Sequence, residues 1–377
     1  MLEDTCVMGT KDEALLPSRI VYAPMTHNEG HRYADCERRF QGIPGVERTA
    51  GGRLYYCFYS GQDDEGSGNF VMLYKSDDHA KTPFTPVMVI EPPTPMCRTF
   101  DPCLWVDPRG RLWIFWAQSY THYDGRLGVW ASVCDMPDAS DDCAIRFSAP
   151  RRIANGIMMN KPTVLQNGNW LLPCAIWQFM SSEYNHLENE RFPNVYCSCD
   201  EGETFSLIGH ASYENRLIDE HMLVQRKDGS LWMLIRAKNG IGQSFSDDGG
   251  YTWYGDSDTG LGGPCSRFCI RRLHSGNLLL VNHHEFNGRN HLKAMLSRDD
   301  GRTWEGYLMI DERTDVSYPD VTEDETGHIY IAYDYKRYTE KELLLACVTE
   351  TDILAGKIVD ESSRLRILVN RAYGEKT

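Results

Sequence analysis

At 377 residues, with 41% hydrophobic content and a net charge of −15, the chain can bury a large core and is as a whole too acidic to favour a nucleic acid or an anionic membrane surface. The total leaves the charge of a substrate open, because a small basic pocket can sit inside an acidic protein. The start, MLEDTCVMGTKDEALLPSR, has early acids and no apolar core of signal-peptide length, and nowhere do 18 apolar residues run together, so a soluble, cytoplasmic protein with no membrane partner is expected.

The 13 cysteines are irregularly spaced, several of them inside strand-like runs (Cys57, Cys174, Cys269, Cys347), and no C-x-x-C occurs. They read as small buried hydrophobes in a reducing compartment. Cys197 and Cys199 lack a second pair, so the pattern implies no metal and no cofactor.

After a lead-in segment, residues 1–38, one hairpin pattern recurs along the chain. Its central glycines are Gly52, Gly110, Gly168, Gly229, Gly276 and Gly327, roughly 50–60 residues apart, each preceded and followed by an apolar run. The unit at 219–253 is the fullest copy. Two strand-like runs, MLVQ and LWMLI, flank the turn Arg226-Lys227-Asp228-Gly229, and a third from Ile241 to Phe245 leads into Ser246-Asp247-Asp248-Gly249-Gly250-Tyr251-Thr252-Trp253. That octet fits S-x-D-x-G-x-T-W, the Asp-box, in which Ser, Asp and Thr oxygens satisfy the backbone of a strand-to-strand turn while an aromatic ring plugs the gap below. Further copies close unit three (Ser198 to Phe205) and unit five (Ser297 to Trp304), and a degenerate one, Ser76 to Thr82, closes the first. Six units of about four short strands each predict an all-β, six-bladed β-propeller over residues 39–377, with the tail from Asp352 returning to the last blade.

Charged residues recur at one register. Asp101, Glu220, Arg267 and Tyr318 all stand nine residues before a hairpin glycine, and Asn160-Lys161 opens the third unit. In a propeller these positions begin the innermost strands and face the axis, so all are expected to line one axial pocket, with the Tyr318 hydroxyl within reach of Glu220. His283, after the second strand of unit five, is a candidate neutral pocket histidine. Trp113, Trp116, Trp170, Trp177 and Trp232 lie within strand runs and are assigned to packing between blades.

From about Phe40 to about Tyr335, these Asp-boxes and the six-fold pattern resemble the sialidase (neuraminidase) superfamily. The resemblance implies a tyrosine nucleophile paired with a glutamate, a carboxylic acid/base, and three arginines that clamp a sugar carboxylate. Tyr318 in VSYPDV falls where the nucleophile belongs, Glu220 and Arg236 at the two ends of the fourth hairpin match the glutamate and the second arginine, and Arg289 matches the third. The first arginine's motif reads Gln41-Gly42-Ile43-Pro44 here, with glycine in the arginine's place, so Arg38 or Arg39 is the candidate substitute. The acid/base falls within Asp63-Asp64-Glu65, with Asp64 or Glu65 preferred. A neutral tyrosine suits an anomeric carbon that bears a carboxylate, because an Asp or Glu nucleophile would be repelled. The implied activity is retaining exo-hydrolysis of a small oligosaccharide or glycoside ending in an acidic sugar. A carbohydrate-binding propeller without catalysis, or a polysaccharide lyase on the same scaffold, are the alternatives.

Overall fold

The computed structural model describes residues 11–23, 31–124, 126–178 and 187–375. The six hairpin glycines lie in turns with φ between 80° and 94°, a region open to glycine without a steric penalty. Each turn joins the two innermost strands of an antiparallel sheet, and six such sheets form the blades of a propeller. Blade one consists of β2 (Phe40–Arg48), β3 (Leu54–Gly61), β4 (Phe70–Ser76) and β5 (Thr85–Glu91); blade two of β6 (Cys97–Val106), β7 (Leu112–Tyr120), β8 (Gly128–Cys134) and β9 (Arg151–Asn155). Blade three holds β10 (Thr163–Val164), β11 (Trp170–Ala175), β12 (Pro193–Ser198) and β13 (Ser206–His210), and blade four β14 (Met222–Gln225), β15 (Leu231–Arg236), β16 (Ile241–Ser246) and β17 (Tyr254–Asp258). Blade five is β18 (Cys269–Arg272), β19 (Leu278–His283), β20 (Leu292–Ser297) and β21 (Glu305–Asp311); blade six is β22 (Val316–Glu323), β23 (His328–Tyr335), β24 (Glu342–Thr349) and β25 (Arg364–Arg371).

The lead-in adds β1 (Arg19–Tyr22) to the outer edge of blade one, where it pairs antiparallel with β5 from Arg19 opposite Glu91 to Tyr22 opposite Met88. The tail forms α1 (Glu350–Ala355), capped by Thr349, and then β25 as the outer strand of blade six. Among the described residues no strand is shared between the first and last blades, so the ring closes by packing. Val46, Tyr56 and Phe58 of blade one share a buried cluster with Tyr330, Ala332 and Leu345 of blade six. The Tyr56 hydroxyl donates to the Leu344 carbonyl (3.0 Å), and the Val46 N–H donates to Asp320 (2.9 Å). Cys57, Cys174, Cys269 and Cys347 are free thiols buried in the blades.

The three intact Asp-boxes share one set of bonds. In the second, Ser246 Oγ donates to Asp248 (2.8 Å) and accepts from the Gly250 N–H (3.0 Å), while the Thr252 N–H and hydroxyl both donate to Asp248 (3.0 and 2.6 Å). Ser198/Asp200/Thr204 and Ser297/Asp299/Thr303 repeat the pattern. These turns also join neighbouring blades. A β-carbon on Gly202 would fall 2.6 Å from Trp170 and 2.8 Å from Trp113, and one on Gly301 only 2.4 Å from Trp232. Trp113, Trp170 and Trp232 therefore pack between blades, in line with the sequence reading, and Trp116 is fully buried.

Candidate active site

The inner strands of blades one, two and six carry the same bulge. Pairing slips between Gly42 and Gly45, Phe100 and Cys103, and Ser317 and Asp320. At each slip the residue nine before the hairpin glycine takes a left-handed φ: 56° at Ile43, 47° at Asp101 and 56° at Tyr318. Proline follows each of them (Pro44, Pro102, Pro319) and has no N–H for the ladder. A bulge re-aims a side chain, and here it delivers all three into one cavity of about 460 Å³ where the inner strands begin. Every blade contributes: Ile43 and Glu65 from blade one, Asp101 and Tyr123 from two, Trp177 from three, Glu220 and Arg236 from four, Arg289 from five, and Tyr318 and Arg337 from six.

The Tyr318 hydroxyl donates to Glu220 Oε1 (2.9 Å), and Arg236 Nη1 reaches both Glu220 Oε2 (2.7 Å) and the Tyr318 hydroxyl (3.3 Å). Arg236 and Arg289 are held by a common acceptor, the Cys265 carbonyl, at 3.0 and 3.3 Å. The guanidinium carbons of Arg337 and Arg289 lie 4.5 and 5.4 Å from the Tyr318 ring centre. Burial and the neighbouring Glu220 charge push the Tyr318 phenol up to about 12, although Arg236, Arg289 and Arg337 oppose this. The tyrosine is therefore neutral and already bonded to the carboxylate that can take its proton.

Glu65 lines the cavity, bonded to Arg337 Nη1 (3.2 Å) and the Tyr338 hydroxyl (2.9 Å); burial raises its carboxyl, but Arg337, Tyr338, Tyr59 and Arg98 together outweigh it and hold the group below the usual glutamate range. Asp64 does not line the cavity: its side chain is exposed, and Asn69 bonds its backbone carbonyl (3.0 Å). Asp63 is exposed and paired with Arg39 (3.1 Å).

Several expected pocket residues stand elsewhere. Arg39 is engaged with Asp63 and Gln62 outside the cavity, and Arg38 is fully buried in a network with the Tyr33 carbonyl (3.0 Å) and Asn370 (2.9 Å). Arg337, two residues past β23, was not among the candidates, yet it takes up the room beside Gly42. A β-carbon there would lie 3.2 and 3.3 Å from its Cβ and Cδ. Lys161 and Arg267 share the axial register but lie deeper. Lys161 donates to the Val46 and Leu104 carbonyls (2.6 and 2.7 Å) and pairs with Asp320 (3.0 Å) and Glu47 (3.3 Å). Arg267 bonds Asn160 (2.8 Å) and approaches Asp320 (3.5 Å). This polar plug satisfies backbone groups where the inner edges of the sheets converge. His283 is buried beside β20, with its Nδ1 on the Asn290 carbonyl (2.8 Å), and burial pushes it down to about 4, so it supports the loop that carries Arg289. Trp177, read as packing, faces the cavity, and Tyr123 packs edge-on against it at 5.2 Å.

A second cavity of about 460 Å³ lies where the inner strands end, lined by Lys161, Met222, Val224, Arg271 and Asp320 among others. The tyrosine–glutamate pair and the arginines around it belong to the first.

Fold and pocket together define a six-bladed Asp-box propeller with a tyrosine–carboxylate pair at its axis. The chain belongs to the BNR repeat-like domain family, which matches residues 52–331. No curated protein matches it. Among solved structures it is similar to the Hadza microbial sialidase Hz136 (18% identity, TM-score 0.62), covering 78% of this chain and 63% of that one, so it spans less than two thirds of that sialidase. It is also similar to the leech intramolecular trans-sialidase complexed with 2,7-anhydro-Neu5Ac (14% identity, TM-score 0.66; 90% of this chain and 71% of that one). A third similar structure is the α-L-arabinofuranosidase Arb93A of Fusarium graminearum (8% identity, TM-score 0.55; 90% and 99%). At these identities the likeness establishes the fold alone.

Proposed function

We propose that this protein is a retaining exo-glycoside hydrolase that removes a terminal sugar bearing a carboxylate. The observation that carries the reading is the Tyr318 hydroxyl bonded to Glu220 at 2.9 Å in a cavity that also holds Arg236, Arg289 and Arg337. Similar propellers include proteins named as sialidases and one named as an arabinofuranosidase, so the scaffold alone does not choose the sugar. The arginines favour an acidic one. Guanidinium groups bind carboxylates through paired, charge-assisted hydrogen bonds, and three of them around one ring would be poorly matched to a neutral sugar. The complex of the leech enzyme with 2,7-anhydro-Neu5Ac supports the same class of substrate.

In the first half-reaction Tyr318 Oη bonds to the anomeric carbon and passes its proton to Glu220, while the glycosidic C–O bond breaks and the leaving oxygen takes a proton from an acid in the cavity. In the second, water attacks the anomeric carbon and gives a proton to the now deprotonated acid, the bond to the tyrosyl oxygen breaks, and Tyr318 recovers its proton from Glu220. The arginines hold the substrate carboxylate throughout.

Aryl glycosides of acidic sugars test the assignment. Tyr318→Phe should lose most of kcat while KM stays near the wild-type value, because the ring remains and only the hydroxyl goes. A fluorinated glycoside with a good leaving group should add one glycosyl mass to the wild type and none to the variant. Undiminished turnover by Tyr318→Phe would refute the nucleophile. An unsaturated product absorbing in the near ultraviolet would point to a lyase, and an intact ligand to a binding protein.

A further inference from the structure

Among the described residues four carboxylates line the cavity: Glu65, Asp101, Glu220 and Asp315. Glu220 is committed to Tyr318 and Arg236, and Glu65 to Arg337 and Tyr338. Asp315 is exposed at the rim. Asp101 differs from all of them. It is 3% exposed, its Oδ1 has no hydrogen-bond partner, and among the described residues its carboxyl joins no ion pair. The nearby Arg98 stacks its guanidinium 3.6 Å from the Phe100 ring centre and 4.8 Å from that of Tyr123.

The backbone spends strain on this side chain. Asp101 holds a φ of 47° at the same bulge register that delivers Tyr318, with Ile43 of the intervening blade between them. A left-handed non-glycine residue is uncommon and is retained where the surrounding structure demands it.

We propose that Asp101, rather than Glu65 or Asp64, gives its proton to the leaving oxygen, and that Glu65 positions Arg337. The inference rests on the hydrolase reading above. In the glycosylation step the anomeric C–O bond breaks, its electron pair goes to the leaving oxygen, and the Asp101 proton forms the new O–H bond. In deglycosylation the Asp101 carboxylate takes a proton from the attacking water and is restored.

A general acid must carry its proton at working pH, and a buried carboxyl without a counter-ion keeps it. Burial, then the charge of Glu65 and that of Glu220, raises Asp101 to about 8, against the opposing charges of Arg98 and Arg337. Tyr59 and Tyr123 complete its titratable surroundings, and both stay neutral, with burial the first cause of their raised values. Glu65 is held ionised by Arg337, which suits an anchor and not a donor.

The test compares Asp101→Asn and Glu65→Gln on acidic-sugar glycosides of graded leaving-group basicity, from 4-nitrophenyl to alkyl. Asparagine tolerates a left-handed φ, so Asp101→Asn preserves the bulge. Asp101→Asn should lose on the order of 100-fold or more in kcat/KM on alkyl glycosides and less than about 10-fold on 4-nitrophenyl ones, together with the alkaline limb of the pH profile. Glu65→Gln should keep the wild-type leaving-group dependence and raise KM. The opposite pattern, with steep dependence in Glu65→Gln alone, overturns the assignment. Difference infrared spectroscopy gives a readout without turnover: a protonated carboxyl band at pH 7, absent from Asp101→Asn, is expected, and its absence from the wild type also overturns the proposal. If the wild type shows that band yet cleaves no acidic-sugar glycoside, the hydrolase reading fails instead, and Asp101 has no leaving group to serve.

Discussion

Gly42 and Arg337 behave as one position divided between two blades. The resemblance to sialidases placed glycine where their first arginine stands and made Arg38 or Arg39 the candidate substitute, but the space beside Gly42 is filled from blade six by the Arg337 stem, held by Asp334 (3.2 Å) and Ser317 (2.9 Å). Arg337→Ala should therefore weaken binding of a carboxylated substrate by roughly 1.5–3 kcal/mol, the worth of a hydrogen bond to a charged group, with a smaller effect on kcat. Gly42→Ala should cost about 1–3 kcal/mol through overpacking, because its methyl meets Arg337 and Asp334 at 3.1–3.3 Å. The reciprocal variant, Gly42→Arg with Arg337→Gly, should recover much of the binding lost in Arg337→Ala when KM is measured for all three. A double variant that binds no better than Arg337→Ala would separate the two positions. The swap was not legible in the sequence, since nothing at 337 repeats with the blades and the relation exists only through space.

At the scale of strands and turns, the sequence register was informative in direction and incomplete in depth. Nine residues before each hairpin glycine does mark the axis, but Asp101 and Tyr318 reach the cavity through a bulge before proline, whereas Arg267, followed by Phe268, sinks into the plug with Lys161. The recurring X-Pro step at 43–44, 101–102 and 318–319 marks the three bulges, but it does not by itself separate pocket from plug, since Glu220, followed by His221, lines the cavity and Lys161, followed by Pro162, lies in the plug. The plug makes its own prediction. Lys161 is the nearest cation to Glu47 and Asp320, both buried, so Lys161→Met leaves them only the longer contacts of Arg271 (3.6 Å) and Arg267 (3.5 Å) and should cost about 3 kcal/mol in urea unfolding. The Asp-boxes were legible in full because their bonds are local. Thr204, Thr252 and Thr303 hydroxyls, then the threonine N–H groups, lower Asp200, Asp248 and Asp299 from 3.8 to about 2. A depressed carboxyl stabilises the fold above its unfolded value and loses that contribution as pH falls through the folded one. Thermal midpoints should therefore drop between about pH 4 and pH 2, and Asp248→Asn should flatten that drop. An unchanged acid slope in the variant would show that the turn does not contribute to it.

For the whole molecule, the consequence of a ring closed by packing is that its closing joint and its functional centre coincide. The seam lies between blades one and six, and the cavity draws Ile43 and Glu65 from one side and Tyr318 and Arg337 from the other. Arg38 fastens this joint: fully buried, it bonds the Tyr33 carbonyl, Ser60 (3.3 Å) and Asn370 of β25, and it also meets Gln41 and Asp35. The chain ends add to it, with the Tyr373 N–H on the Asp35 carbonyl (2.6 Å) and the Gly374 N–H on the Arg38 carbonyl (2.9 Å). Arg38→Met removes the charge and its bonds while keeping an unbranched apolar stem, at a cost of about 3 kcal/mol or more. Because the bonds of the Arg38 side chain run to the lead-in and to blades one and six, the loss should appear locally, as faster amide exchange in β2 and β25 than in β11 and β15. Substrate cleavage should then fail at a lower urea concentration than the far-ultraviolet signal of the sheets, whereas the two transitions should lie closer together in the wild type. If exchange in Arg38→Met rises evenly over all six blades, the propeller opens as one unit and the seam holds no special place in its stability.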